Sequence, residues 1–162
     1  MKTVILNFLL IFLFLTIVDG HCSSFEDSIT GTHPLTLQWL DNFNRGNTGK
    51  VRIFRKDGQL FAEGTQEEEY EGERNWMNLY GRITVINPRE LELDGVITTR
   101  LSFINNGKPH ERKGVFRFKA WGKRPYWRMQ NNRLQPDNGF EVTDYIDIHF
   151  KKLGDSIFNP MN

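Results

Sequence analysis

Leu91-Glu92-Leu93-Asp94-Gly95-Val96-Ile97-Thr98-Thr99-Arg100-Leu101-Ser102-Phe103 alternates along its whole length. Leu91, Leu93, Gly95, Ile97, Thr99, Leu101 and Phe103 fall on one face, and Glu92, Asp94, Thr98, Arg100 and Ser102 on the other. A period of two is that of a strand, because successive side chains point to opposite faces. One apolar and one wet face is the mark of an antiparallel sheet. Asp94-Gly95 has the composition of a hairpin turn, but the alternation keeps phase through it. The stretch therefore reads as one long strand with a glycine bend.

The same period continues on both sides. Upstream, Asn87-Pro88-Arg89 turns the chain out of residues 76–86, where Met77, Leu79, Gly81, Ile83 and Val85 share a face. Further upstream, Asp57-Gly58 separates Val51 and Ile53 from Leu60 and Ala62. Two residues that tolerate positive φ, flanked by alternation, predict a hairpin. Downstream, Asn105-Asn106-Gly107-Lys108-Pro109 leads into residues 111–121, with Gly114, Phe116, Phe118 and Ala120 inward. Gly122-Lys123-Arg124-Pro125 turns into residues 126–130, with Trp127 and Met129 on one side. Residues 131–139 read as a polar loop, and residues 143–151 as a last strand with Ile146, Ile148 and Phe150 inward. The run Glu67-Glu68-Glu69-Tyr70-Glu71-Gly72-Glu73 reads as a solvated loop, and residues 32–46 as a short helix or irregular plug. Gly64, Gly81, Gly95 and Gly114 recur inside strands, where glycine marks bulges and sharp bends.

The fold class is therefore all-β: an antiparallel up-and-down meander of about seven or eight strands. It closes into a small barrel or two packed sheets, with a short N-terminal helix or irregular plug. This architecture resembles the calycins, the lipocalin and avidin-type barrels, over residues 48–151. The lipocalin Gly-x-Trp signature is absent from the first strand. The nearest early tryptophan is Trp39, in Leu37-Gln38-Trp39, so the resemblance carries over no functional residue.

Composition agrees with one domain. The chain has 162 residues, 14 Gly, 6 Pro, one Cys, 21 Lys+Arg and 20 Asp+Glu, for a net charge of +1. It is long enough for one sizeable core. Its balance of charge gives no case for nucleic acid or an anionic membrane surface. Lys2 followed by the apolar run 4–18 and a small-residue exit at Val18 and Gly20 reads as a secretory signal over residues 1–20. The run is shorter than the about 20 apolar residues of a spanning helix. A flexible segment over 21–31 and a single β domain over 32–162 follow. Export places the protein in the periplasm or outside the cell, with no stable membrane insertion after cleavage. Cys22 has no partner in the chain for a disulfide. His21, as a new N-terminus, has the amine and imidazole of a copper ligand, but no spacing motif brings His33, His110 or His149 to it.

The inward face comprises Val51, Ile53, Leu60, Met77, Leu79, Ile83, Val85, Leu91, Leu93, Ile97, Leu101, Phe103, Phe116, Phe118, Trp127, Met129, Ile146, Ile148 and Phe150. A barrel of this size is either filled by such side chains or holds one small ligand. In the second case Phe116, Phe118, Trp127 and Met129 line an apolar cavity. The outward face carries Phe54, Phe61, Trp76, Tyr80, Trp121, Tyr126 and Tyr145 beside Arg52, Arg82, Arg117, Lys119 and Arg128. Exposed aromatics beside cations stack sugars or cap a partner, which makes Trp76, Tyr80, Tyr126 and Arg128 candidates for contact with a protein or glycan. Tyr145, Asp147 and His149 share a strand face without a nucleophile, and no G-x-S-x-G, H-E-x-x-H, C-x-x-C or P-loop occurs. No catalytic residue, metal or cofactor is implied. The sequence points to an exported, non-enzymatic binding protein that carries a small apolar ligand or presents its aromatic surface to a protein or glycan.

Overall fold

The structure, a computed structural model, describes residues 24–41, 48–134 and 141–154. Residues 1–20, read as an export signal, and His21 and Cys22 lie outside the described residues. Among the described residues ten strands follow in order: β1 Gly31–Leu37, β2 Gly49–Lys56, β3 Gln59–Tyr70, β4 Glu73–Asn87, β5 Glu90–Arg100, β6 His110–Lys119, β7 Tyr126–Met129, β8 Arg133–Leu134, β9 Val142–Thr143 and β10 Ile146–His149. Helix α1 is Phe25–Ser28 and helix α2 is Gln38–Asp41. The order β1-β10-β7-β6-β5-β4-β3-β2 closes into a barrel, and β8 and β9 form a separate two-stranded ribbon. The choice between barrel and two sheets thus falls to the barrel.

Asp57 and Gly58 have φ of 51° and 75°, so the β2–β3 hairpin turns as its sequence predicts. Gly95 lies inside β5, opposite Gly81 of β4 and Gly114 of β6. The strands approach very closely there. A Cβ on Gly95 would stand 2.1 Å from the Tyr80 carbonyl oxygen and 2.5 Å from Gly81 Cα. Side chains are excluded at Gly81 and Gly95 and the sheet coils through them, whereas Gly114, expected to face inward, is exposed, with a φ of 141° and open space where a side chain would stand.

Three expectations need correction. Residues 31–37 are a strand and Gln38–Asp41 a helical turn, while the rest of the expected plug, residues 42–46, lies outside the described residues. His33, Leu35 and Leu37 point inward and are buried, and β1 pairs with both β2 and β10. Without this strand the barrel would stay open. Second, the acidic run is not a loop. Residues 67–70 end β3, Glu71-Gly72 turns with φ of 52° and 78°, and Glu73 opens β4. Cross-strand arginines accommodate the charge: Glu67 pairs with Arg74 at 2.6 Å and Glu73 with Arg100 at 2.8 Å. Third, β5 ends at Arg100, so Leu101 stays buried while Phe103 is 49% exposed. Val85 and Phe150 are only partly buried against the core. Within the segment expected to be flexible, Phe25–Ser28 form one turn of helix. Its capping box joins Ser24 and Asp27. Arg55 of β2 ties the turn to the barrel through Glu26 at 2.9 Å and Asp27 at 3.0 Å.

Pro34 sits inside β1 although proline lacks the N–H that a ladder needs. The β1–β10 register stops at Leu35, one residue later. The His149 carbonyl instead accepts from His33 Nδ1 at 2.8 Å. The other ring nitrogen of His33 lies 2.8 Å from the Ile29 carbonyl, at the end of α1. One buried side chain thus completes the barrel seam and seats the helix on it.

The glycine row gives a direct test. Gly95→Ala is expected to lower the unfolding free energy by about 3 kcal/mol, since the added methyl meets backbone that cannot step aside. Val115→Ala, on the exposed side of β6, is expected to change it by less than about 0.5 kcal/mol. Urea denaturation of both variants checks the contrast.

Candidate functional site

The interior is graded along the barrel axis. Its middle is apolar, with Val51, Ile53, Leu79, Leu93, Phe118, Met129 and Ile148 in one contiguous cluster. One end is polar. Gln66 and Glu68 of β3, Asn75 of β4 and Thr99 of β5 are all buried there. Gln66 Oε1 accepts from the Leu37 N–H at 2.6 Å, and Asn75 Oδ1 accepts from the Ser102 N–H at 2.7 Å. Arg112 of β6 belongs to the inward phase, opposite Ile97. Its Nη2 donates to Asp144 Oδ2 at 2.8 Å, while Trp39 Nε1 donates to Asp144 Oδ1 at 3.0 Å. Asp144 is fully buried. Burial holds its carboxyl above the ordinary carboxylate range, against the pull of Arg112, and burial likewise lowers the Arg112 guanidinium. Sequence reasoning missed this pair. Arg112 looks like a surface charge, and Asp144 looks like a loop residue; only the parity of β6, counted back from the buried Phe118 and Phe116, gives a signal.

The opposite end is apolar and half open. Phe25, Ser28, Ile29, His33, Pro88, Arg89, Trp127 and Phe150 line a pocket of about 370 Å³. Trp127 forms its wall: the indole N–H donates to the Pro88 carbonyl at 3.2 Å, and Phe150 packs edge-on at 4.4 Å. Arg89 stands at the rim. Its Nε donates to the Ala120 carbonyl at 3.0 Å and its Nη2 to the Gly122 carbonyl at 2.6 Å. Among the described residues no carboxylate pairs with it.

The structure separates the residues singled out from sequence. Phe116, Phe118, Trp127 and Met129 do come together, but as core: each is at most 4% exposed, and Phe118 stands opposite Met129. Of the four, Trp127 alone reaches the mouth pocket. Trp76 and Tyr80 lie on β4, whereas Tyr126 and Arg128 lie on β7, with β5 and β6 between them. These four do not form one surface. Tyr80 instead continues a stacked row from Phe54 through Phe61, with rings 6.1 Å apart at each step. It also lines an outer groove of about 440 Å³ with Lys50, Glu63, Asn78, Val96 and Thr98. On the strand that carries Asp147 and His149, Asp147 holds Arg128 through two hydrogen bonds of 2.8 and 2.7 Å. Among the described residues no group of three or more His, Cys, Asp or Glu is placed to hold a metal ion.

The sequence pattern of the PM1083 family matches residues 17–150, a span that holds every strand of the barrel. The chain belongs to the PM1083 family. It is 37% identical over 130 residues to "Uncharacterized protein PM1083" of Pasteurella multocida (strain Pm70), an alignment spanning 79% of this chain and 77% of that protein. No solved structure matches the chain. In this PM1083-family chain the matched span runs from before α1 to Phe150, so it takes in both the polar end and the apolar mouth.

The buried ion pair sets an expectation for pH. Arg112→Met leaves the Asp144 carboxylate buried without its counterion, which costs about 3–5 kcal/mol at neutral pH. A carboxyl with a raised folded pKa destabilises the fold above that value and does not once it is protonated in both states. The deficit of the variant is therefore full at neutral pH and shrinks as the pH falls through the raised value. Thermal unfolding of both proteins across the acid range checks it; a deficit independent of pH would remove Asp144 from the account.

Proposed function

We propose that this protein is an exported, non-catalytic binding protein that captures a small apolar molecule with an acidic head at the mouth of its barrel. The observation that carries this reading is the pocket of about 370 Å³ between α1 and Trp127. Its volume is in the range of small-molecule sites, and its lining is mostly rings and aliphatic carbon with few polar groups, as such sites require. Phe25, Trp127 and Phe150 would bury the apolar body. Arg89 supplies the one cation at the rim that no described carboxylate neutralises, and it suits a carboxylate or sulfonate head. The ligand thus sits at the end of the core, since Phe118 and Met129 fill the middle. The leader over residues 1–20 would deliver the barrel out of the cytoplasm.

Anilinonaphthalene sulfonate, an apolar anion, tests the pocket directly. Its fluorescence is expected to rise with wild-type protein. Ser28→Trp puts an indole across the pocket from an exposed position, and should weaken binding about tenfold or more with unchanged circular dichroism. Uncharged phenylnaphthylamine should bind more weakly than the anion. Probe binding indifferent to Ser28→Trp would overturn the site, and equal affinity for the two probes would overturn the role of Arg89. Protein recovered outside the cytoplasm is expected to begin at His21, which N-terminal sequencing reads.

A further inference from the structure

The outer face of β7, with its flanking turns, is built differently from the rest of the barrel surface. Trp121 follows β6 and is 53% exposed. It is nevertheless held in place: its Nε1 donates to Gln130 Oε1 at 3.1 Å, and Lys119 Nζ lies 4.5 Å from the ring centre. Gln130 is fixed in turn, because its Nε2 donates to the Arg128 carbonyl at 2.6 Å. Tyr145 is also exposed and is held from one side by the Arg128 guanidinium, 4.5 Å from its ring. Arg128 is itself gripped by Asp147 through both oxygens and lies 5.2 Å from the Tyr126 ring. Exposed rings ordinarily lose rotamer freedom when they bind, and these are already ordered by their neighbours.

Between them lies a recess of about 230 Å³ lined by Trp121, Arg124, Arg128, Gln130, Asn132 and Tyr145, with Met129 behind. Among the described residues no carboxylate lines it. Among the described residues the Arg124 guanidinium and the Asn132 side-chain amide have neither a hydrogen bond nor an ion pair. Lys123 adds a further positive charge beside Arg124 in the chain. Among the described residues the recess thus offers flat apolar rings, planar polar side chains with vacant donors, and an unbalanced positive charge.

We infer that this recess binds an acidic saccharide, a sugar bearing a carboxylate. The C–H face of a pyranose is apolar and flat, and it stacks on an indole or phenol ring. Its hydroxyls meet Asn132, and its carboxylate meets Arg124, for which a guanidinium is the matching fork. An acidic peptide would satisfy the charge but would leave the pinned rings without a flat partner. The positive excess separates this recess from the Phe54, Phe61 and Tyr80 row, whose groove includes Glu63.

Titration calorimetry of the full protein with an oligogalacturonate, a neutral oligogalactan and an oligoglutamate of matching length tests the assignment. The oligogalacturonate should bind most tightly. Trp121→Ala should weaken it about tenfold, and Arg124→Ala should bring its affinity down to that of the neutral sugar. Trp121 is exposed, so the fold should survive, and unchanged circular dichroism verifies that. If Trp121→Ala nevertheless unfolds, Tyr145→Ala replaces it with the same expectation. The assignment is overturned if the oligoglutamate binds as tightly as the oligogalacturonate, if the ring variants bind normally, or if the oligogalacturonate does not bind.

Discussion

The contact between Gly81 and Gly95 is the constraint on which the barrel depends. An eight-stranded sheet closes only if its strands tilt and coil strongly, and bends of that kind need backbone to approach backbone. Gly81 and Gly95 supply this on adjacent strands at one level, and Gly114 of β6 continues the row with a φ of 141°. The carbonyl of Tyr80 occupies the space that a side chain of residue 95 would take. On either side of the row, β4 and β5 continue in register with large apolar residues: Leu79 opposite Ile97, and Ile83 opposite Leu93. The glycines fold the sheet, and the residues flanking them fill what it encloses.

Closure then divides the interior by chemistry. The middle is dry and filled, each fully buried leucine, isoleucine or phenylalanine contributing about 1.5–3 kcal/mol. The polar end gathers Gln66, Asn75, Thr99, Arg112 and Asp144 beneath Trp39. Removing a buried ion pair from water costs more than its attraction returns unless further hydrogen bonds assist. Here the Trp39 N–H does so for one oxygen of Asp144. The apolar end has no such network and is capped by a single helical turn held by Arg55 and His33. The two ends are thus finished by unlike means. The polar one fixes how the strands meet, and the apolar one leaves room.

Much of the fold was legible because a strand with one wet face writes its own period. The Asp57-Gly58 turn, the long β4 and β5, and the buried Phe116, Phe118, Trp127, Met129, Ile146 and Ile148 of β6, β7 and β10 could be read from alternation alone. The readings that failed share a cause. In β1, Pro34 and the nearby Trp39 and Leu40 obscure the period, and the role of β1 is set by β10, more than a hundred residues away. In the acidic run, composition outweighed position: Glu68 is buried in phase with Gln66, while Glu67 and Glu69 are its outward neighbours. Site residues were harder still. Parity assigns a face but not an angle around the barrel, so Tyr80 and Tyr126 looked like neighbours although two strands part them. Trp121 was legible as outward, but its pinning by Gln130 and Lys119 joins residues that no periodicity links.

The seam at β1 brings Gly31 and Leu153 to the same place, where the Leu153 N–H donates to the Thr32 carbonyl at 2.7 Å and the Lys152 side chain packs over Gly31. Every other neighbouring pair of barrel strands is consecutive in the chain, apart from β7 and β10, between which the β8–β9 ribbon intervenes. The molecule is therefore a ring in space although it is a line in sequence. Its folding order follows from that geometry: hairpins assemble from local pairings, and the entropy of closing the largest loop falls on the last step. A cyclic rearrangement of the gene that joined these two ends and opened the exposed Asp57-Gly58 turn would keep every strand pair while making the final closure the first and most local one.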